Sequence, residues 1–343
     1  MRARPGRHEG AALGLAAFVA AAALLLGLAD PRAAFTGWMS AAVAFAAIPA
    51  GALCLMAMMK LIPGAWGEQL RLTCEVGSLL ALPGLAAFVP VTITSAFIYP
   101  WAIRPGENVF QDNWLGVLPF MLRTTLWFLL LWGAARLLRM RKNSRAVSAA
   151  ALVAFPVLGS LVAVDWLMSL TPAFASSGFG LQILILSVCM AFAVLLLFRL
   201  SVGSPPFRPG VLGGLLLTLL LMWAYIQFLT FFIAWSPGLP EGAQWYGLRE
   251  GGWDAAEWAF ALLGGVPLLM LLLPRFRGSP AWLARLCAAV IAGKLIEFAW
   301  FALPGTGVVG VAAYALAATA MGLVTAVGLR LALRERIGAR MPA

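Results

Sequence analysis

Long apolar runs, separated by short polar breaks, constrain this sequence most. Each run is long enough to cross the roughly 30 Å hydrocarbon core of a bilayer as a helix. The breaks between them are rich in Pro, Gly and charge, as at 104–108 and 236–240, and none is long enough for a separate soluble domain. We predict ten transmembrane helices, numbered 1 to 10, at 11–29, 37–60, 73–97, 115–138, 147–170, 178–200, 210–235, 254–273, 280–302 and 307–331.

Composition agrees with this fold class. Hydrophobic residues make up 63% of the 343 residues and charged residues only 11%, which is far from the averages of soluble domains. We therefore predict an all-α polytopic membrane protein that forms a single integral membrane domain.

Basic residues are distributed unevenly between the two sides of the predicted helices. Nineteen of the 24 Lys and Arg residues fall on the side of the N-terminus, three (Arg32, Arg104, Arg249) on the other side, and two (Arg123, Lys294) within helices. Because cytoplasmic loops carry the excess of Lys and Arg, both termini are predicted to be cytoplasmic. This bias also accounts for the formal charge of +11 without a nucleic-acid partner.

Ligands for metals and haem are scarce in the sequence. The four cysteines (Cys54, Cys74, Cys189, Cys287) lie singly in apolar runs, and the only histidine is His8, in the polar N-terminal tail. Iron–sulfur clusters, structural zinc and b-type haem need several such ligands brought together. We therefore predict that this chain holds no haem, iron–sulfur cluster or metal of its own.

Two charged residues lie inside consecutive predicted helices. Counting 1.5 Å per residue, Asp165 lies about 8 Å below the outer end of helix 5 and Arg123 about 12 Å below that of helix 4. The helices are antiparallel neighbours, so we expect an ion pair between these side chains. An acid at this depth is a functional candidate by default.

Other polar residues share this depth. Lys294 and Glu297 lie three residues apart on helix 9, Gln227 lies on helix 7, and Gln182 and Glu257 enter helices 6 and 8 from the outer side. Together with Arg123 and Asp165 they form what we call the outer polar layer. A shared level favours a proton path or a quinone-proximal site. The alternative is a set of ion pairs that only fix helix packing.

Glu75 lies apart from this layer, near the cytoplasmic end of helix 3 and close to Arg71. An interfacial salt bridge is one interpretation. The other is the start of a proton path, because the same helix continues with Pro83 and Pro90, whose freed carbonyls could hold water, and with Thr92, Thr94 and Ser95.

Several motifs resemble the F subunit of alternative complex III, a bacterial quinol:electron-acceptor oxidoreductase, within the wider polysulfide-reductase type (NrfD-like) membrane superfamily. The most specific is Asp-Trp-Leu-Met-Ser-Leu at 165–170. The resemblance covers about 37–305 in the same order, with further matches at 71–75, 82–83, 99–101, 114–123, 223–226, 235, 240–241 and 245–246.

The resemblance implies two four-helix bundles, helices 2–5 (37–170) and helices 6–9 (178–302), flanked by helix 1 (1–36) and helix 10 (307–343). It implies a multi-pass subunit of the bacterial inner membrane that serves structure and contributes quinone contact or proton translocation. Haem c and iron–sulfur clusters would belong to partner subunits, beside a sister NrfD-like membrane subunit. Trp101, Glu241 and Trp245 are the expected outer-loop contacts with partners.

The sequence departs from the family in two outer loops. Thr-Pro-Ala-Phe at 171–174 stands where the family has Glu-Pro-His-Trp, and Gly-Leu-Pro-Glu-Gly at 238–242 replaces Asn-x-Pro-Glu-Glu. Two other functions stay open. A secondary transporter would predict inverted repeats with broken helices, whereas predicted helices 2–5 and 6–9 begin from the same side. A stand-alone quinol-interacting anchor or enzyme would need an electron acceptor that this chain does not supply.

Overall fold

Helices are the only regular secondary structure in the part of the chain that this computed structural model describes, residues 6–103, 113–140, 145–202, 208–234 and 240–338. Short 3-10 turns and four-residue helical turns connect several of the longer helices. The helices are α1 Arg7–Leu25, α2 Pro31–Leu61, α3 Ala65–Gly77, α4 Ala81–Ile93, α5 Val117–Met140, α6 Arg145–Trp166, α7 Phe179–Ser201, α8 Pro209–Ala234, α9 Pro240–Gly247, α10 Gly252–Leu272, α11 Pro280–Ala302 and α12 Gly307–Gly338.

Nine helical segments among the described residues are long and apolar enough to cross a membrane. Many turn large apolar side chains outward, such as Phe18, Phe228 and Leu269, a surface that suits lipid rather than water. The prediction of an all-α, multi-pass membrane protein is thereby confirmed. α11 has 23 residues but lies outside these nine segments, since it carries the charges of Arg285, Lys294 and Glu297.

The third predicted helix differs most from its predicted bounds of 73–97. Helical structure begins earlier, at Ala65, and α3 and α4 together form one segment, Ala65–Ile93, with a 3-10 turn at Ser78–Leu80. Pro83 explains this tightening, because proline has no backbone N–H to donate one turn back and its ring crowds the carbonyl there. The sequence also places 240–247 in a loop, whereas the structure forms the short helix α9.

α2 lies at the centre of the molecule and is buried along almost its whole length. Its composition allows this, because Ala and Gly let neighbouring helix backbones approach closely. A β-carbon on Gly51 would lie 3.1 Å from the Ser187 carbonyl oxygen and 3.2 Å from Val188 Cα, both in α7. The centre of the fold is therefore the contact between α2 and α7.

The remaining helices pack around this centre in two groups. In the first group α2 packs on α3 and α4, α4 on α5 and α5 on α6, and α6 returns to α2. In the second group α7, α8, α10 and α11 pack in chain order, and α11 returns to α7. Further contacts of α2 with α7 and α11 join the groups, while α12 packs on α2 and α1.

Basic side chains from both groups and from α12 meet at one end of the helices, which we call the basic end. Arg336 of α12 pairs with Glu75 of α3 at 3.7 Å, and Arg199 Nε donates to the Gln69 carbonyl oxygen at 3.0 Å. The outer polar layer lies toward the opposite end. Residues 104–108 and most of 236–240, two of the polar breaks, fall outside the described residues.

Candidate functional site

Arg123 of α5 and Asp165 of α6 meet as the depth count predicts. Arg123 Nε donates to Asp165 Oδ2 at 2.6 Å and Arg123 Nη2 donates to Asp165 Oδ1 at 3.0 Å. This two-bond geometry is the strongest form of an Arg–carboxylate pair. The Asp165 side chain is 1% exposed and that of Arg123 is 20% exposed, so the aspartate is buried while part of the arginine reaches the protein surface.

Trp114 completes this site from the chain segment before α5. Its indole Nε1–H donates to Asp165 Oδ1 at 3.1 Å, and its carbonyl oxygen accepts from Arg123 Nη2 at 2.8 Å. The guanidinium carbon also lies 4.3 Å from the centre of the indole ring, within the range of a cation–π contact. We call Trp114, Arg123 and Asp165 the open site.

The Asp-Trp-Leu-Met-Ser-Leu motif holds the end of α6 in place. Carbonyl groups in the last turn of a helix lack intrahelical partners, and here the Tyr99 hydroxyl donates to the Trp166 oxygen at 3.1 Å and the Ser169 hydroxyl to the Asp165 oxygen at 2.6 Å. Trp166 Nε1 in turn donates to Thr124 Oγ1 at 3.0 Å. Asp165 is thus held on a rigid helix end.

Trp101 takes part in the same network. Its indole N–H donates to Ser169 Oγ at 3.0 Å, and its ring stacks on Tyr99 with centroids 4.9 Å apart. The partner contact that the sequence predicts for Trp101 stays a prediction, and within the chain its indole N–H is already bonded to Ser169.

Lys294 and Glu297 of α11 form a second ion pair in the other group of helices. Lys294 Nζ lies 2.9 Å from Glu297 Oε2, and the two side chains are 1% and 0% exposed. Trp223 of α8 donates its indole N–H to Glu297 Oε1 at 2.9 Å, and Lys294 Nζ lies 3.2 Å from the centre of the same ring. We call Trp223, Lys294 and Glu297 the closed site.

Both sites combine a carboxylate, a cation and a tryptophan. The indole N–H donates to the carboxylate, and the cation lies over the indole ring. Each carboxylate lies on the last helix of its group, α6 in the first and α11 in the second. Sequence reasoning found the charged residues of both sites but did not predict that a tryptophan would join either pair. The only signal is a general one: a buried indole N–H requires an acceptor, but no spacing in the sequence identifies which carboxylate supplies it.

Gln182 and Gln227 lie beside the closed site. Gln182 Nε2 donates to Gln227 Oε1 and so connects α7 with α8. Gln227 is four residues after Trp223 and therefore one turn away on the same face of α8. Gln182 also lines a cavity of about 270 Å³ together with Thr230 and Tyr246. Glu257, the remaining member of the outer polar layer, is half-buried on α10.

Trp245, for which the sequence predicts an outer-loop contact with a partner, packs its ring within the chain. It is 5% exposed, because Phe174 stacks on its ring at 4.6 Å between centroids and the Arg249 guanidinium carbon lies 3.3 Å from the ring centre. The other predicted contact, Glu241, is the second residue of α9, and its side chain lies outside what the structure describes.

Arg249 is a buried cation that the sequence places among exposed outer-loop residues. Its guanidinium donates to the carbonyl oxygens of Trp245 at 2.6 Å, Phe301 at 2.9 Å and Trp300 at 3.2 Å. Burial lowers the pKa of Arg249, and the nearby charges of Tyr246 and Glu257 offset part of this effect. Arg249 therefore ties the α9–α10 connection to the end of α11.

Glu75 lies at the basic end, away from both sites. It pairs with Arg71 at 3.4 Å and with Arg336 at 3.7 Å, which matches the interpretation as an interfacial salt bridge. The hydroxyls of Thr92 and Thr94 donate to carbonyls of their own helix. The structure thus does not bring Glu75 together with Asp165.

Ligand groups for metals remain scattered among the described residues. No three His, Cys, Asp or Glu side chains there are grouped so that they could hold a metal ion, and the four cysteines are buried and free. Comparison of the chain with protein-family models and with curated proteins gave no match. What the chain does is therefore inferred from its own residues.

Proposed function

We propose that this chain is an integral membrane subunit of a bacterial respiratory quinol:electron-acceptor oxidoreductase of the alternative complex III type, without a redox centre of its own. The observation that carries the proposal is the convergence of its most specific motifs. Asp165, Trp166 and Ser169 come from one motif, Trp114 and Arg123 from a second, and Tyr99 and Trp101 from a third, and these seven residues form one bonded network.

The proposed architecture has ten membrane helices in two four-helix bundles, with α1 and α12 at the periphery. α11 counts as the tenth because the charges of Lys294 and Glu297 neutralise each other inside the protein, as charges within a membrane must. The contacts within each group of helices support the two bundles. With the basic end in the cytoplasm, the open site lies toward the outer face of the bacterial inner membrane.

In this proposal Asp165 handles protons and Arg123 controls its charge. The guanidinium and the Trp114 N–H stabilise the carboxylate form. A proton that arrives on Asp165 weakens the pair and frees Arg123, whose side chain already reaches the protein surface. Protons released by quinol oxidation in a sister subunit would thereby gain an exit on the outer side. Haem c and iron–sulfur clusters belong to the partner subunits.

Membership of the complex is tested by isolating the protein from its native membrane under mild conditions. We expect cytochrome c and iron–sulfur polypeptides, together with a second multi-pass membrane subunit, to co-purify with this chain. A chain that reproducibly purifies without any redox polypeptide would overturn the proposed function.

The role of the open site is tested by the double variant Asp165→Asn with Arg123→Gln. Removing both charges leaves no stranded ion, so we expect the complex to assemble while proton translocation coupled to quinol oxidation is lost. The matched control replaces Lys294 with Met and Glu297 with Gln in the closed site, where both assembly and translocation should persist. If the first double variant recovers translocation along with assembly, Asp165 serves packing alone.

A further inference from the structure

A cleft of about 380 Å³ lies between α11 and α12, with α2 and α7 as its floor. Both α11 and α12 pack on α2. They are linked toward the opposite end by the Tyr314 hydroxyl, which donates to the Leu295 carbonyl oxygen at 2.6 Å. From that link the cleft runs along α12 from Ala318 to Arg330, a length of about 18 Å at 1.5 Å per residue. This is close to the depth of one leaflet, half of the roughly 30 Å hydrocarbon core.

The walls of the cleft offer almost no free polar group. Phe45, Ile48, Leu197 and Met321 are typical of its lining. The hydroxyl of Thr325 donates to the Met321 carbonyl oxygen and that of Ser201 to the Phe198 carbonyl oxygen, each at 2.8 Å. Both hydroxyl protons are thus used within their own helices. Such a surface suits a saturated hydrocarbon chain better than a ligand with a polar ring.

Arg330 lies where the cleft meets the basic end. Its side chain is exposed, and among the described residues no acid pairs with it. The neighbouring cations of α12 are engaged, Arg334 with Glu9 at 2.8 Å and Arg336 with Glu75 at 3.7 Å. A free guanidinium at the level of the lipid headgroups attracts an anion.

We propose that this cleft binds one acyl chain of an anionic phospholipid, whose phosphate lies against Arg330. The apolar length receives the chain, and the free cation selects the headgroup. The cleft separates α12 from α11 on the surface of α2. The bound lipid would therefore fill the gap between α12 and α11. This site is independent of the open site and of the proposed respiratory role.

The acyl-chain part is tested by filling the cleft. Gly322 lines it, and a β-carbon there would meet no neighbouring atom within 4 Å, so Gly322→Phe is chosen to add a ring to the cleft wall at a point that has room for a side chain. We expect the purified full chain to retain phosphatidylglycerol, and Gly322→Phe to lose at least nine-tenths of it by quantitative lipid extraction and native mass spectrometry. Gly265→Phe is the matched control, because Gly265 of α10 is equally open and lies elsewhere.

The headgroup part is tested with Arg330→Gln and vesicles or mixed micelles of known composition. Wild type should prefer phosphatidylglycerol over phosphatidylethanolamine, and the variant should bind phosphatidylglycerol about fivefold more weakly, as expected for one basic residue near a headgroup. Arg285→Gln, another exposed arginine outside the cleft, should change nothing. Equal phospholipid retention in wild type and Gly322→Phe would overturn the proposal, as would a quinone in place of phospholipid. If Gly322→Phe does not accumulate, Ala326→Leu on the same wall decides the question.

Discussion

The open and closed sites contain the same three kinds of group but differ in access and in construction. At the closed site both charges are buried to within 1% of full burial and come from one helix, three residues apart. At the open site the charges come from two helices, and the Arg123 side chain remains 20% exposed. A pair sealed from water can hold helices together but cannot exchange protons with solvent. The two sites contain the same kinds of residue, so the exposure of the cation distinguishes them. The closed site serves helix packing, and the open site is the candidate proton site.

The difference in construction has an energetic side. Two charges taken out of water cost several kcal/mol each, and their attraction offsets this cost only when the geometry is good. At the closed site the Trp223 indole N–H supplies an additional bond to each oxygen of Glu297, at 2.9 and 3.1 Å. At the open site part of the Arg123 side chain remains at the protein surface. The closed site should therefore respond more strongly to the loss of one charge.

The largest expected effect is at the closed site. Glu297→Gln leaves the ammonium group of Lys294 buried without its carboxylate, which should destabilise the protein by about 3–5 kcal/mol. Thermal unfolding in detergent and the monodisperse fraction on size exclusion measure this loss. The double change Lys294→Met with Glu297→Gln should restore stability to near wild type, because it removes the buried cation while the Gln oxygen can still accept from the Trp223 N–H. A Glu297→Gln protein as stable as wild type would show that Lys294 is not a stranded charge.

A smaller loss should follow from Asp165→Asn. Arg123 then lacks its carboxylate, but its side chain is partly exposed and its Nη2 still donates to the Trp114 carbonyl oxygen, so we expect a loss of about 1–3 kcal/mol, below the range for a fully buried pair. Measured side by side, Asp165→Asn should unfold at a higher temperature than Glu297→Gln. The reverse order would show that the open site is the more deeply desolvated of the two.

The last comparison, which includes the smallest expected effect, concerns the two tryptophans. Phenylalanine keeps the ring but removes the indole N–H, so Trp223→Phe takes a donor from a fully buried carboxylate and should cost about 1–3 kcal/mol. Trp114→Phe should cost less than about 1 kcal/mol, because Arg123 still supplies two bonds to Asp165 and water can reach the site. Chemical or thermal unfolding of both variants in one detergent gives the ranking. Equal losses of stability in the two variants would mean that the two carboxylates are equally desolvated.

Sequence reasoning predicted the membrane class, most helix bounds and the charged members of both sites. The depth count brought Arg123 and Asp165 to one level, since helices advance by a constant 1.5 Å per residue. It did not predict which tryptophan would join which carboxylate. Trp114 and Trp223 lie 51 and 74 residues from their acceptors, and no local rule spans such distances. Burial of Trp245 was missed for the same reason, because Phe174 and Arg249 reach it from other elements.

By itself the sequence determined which segments form membrane helices, because that depends on the bilayer as a solvent. Long apolar runs must form helices there, because every backbone polar group has to be satisfied within its own segment. Only the tertiary structure decided which polar groups meet and which remain accessible. Helices in a membrane associate through packing and hydrogen bonds rather than a hydrophobic driving force, so small residues such as Gly51, at the contact of α2 with α7, set the arrangement. That arrangement leaves one site open, closes the other, and creates the cleft beside α12.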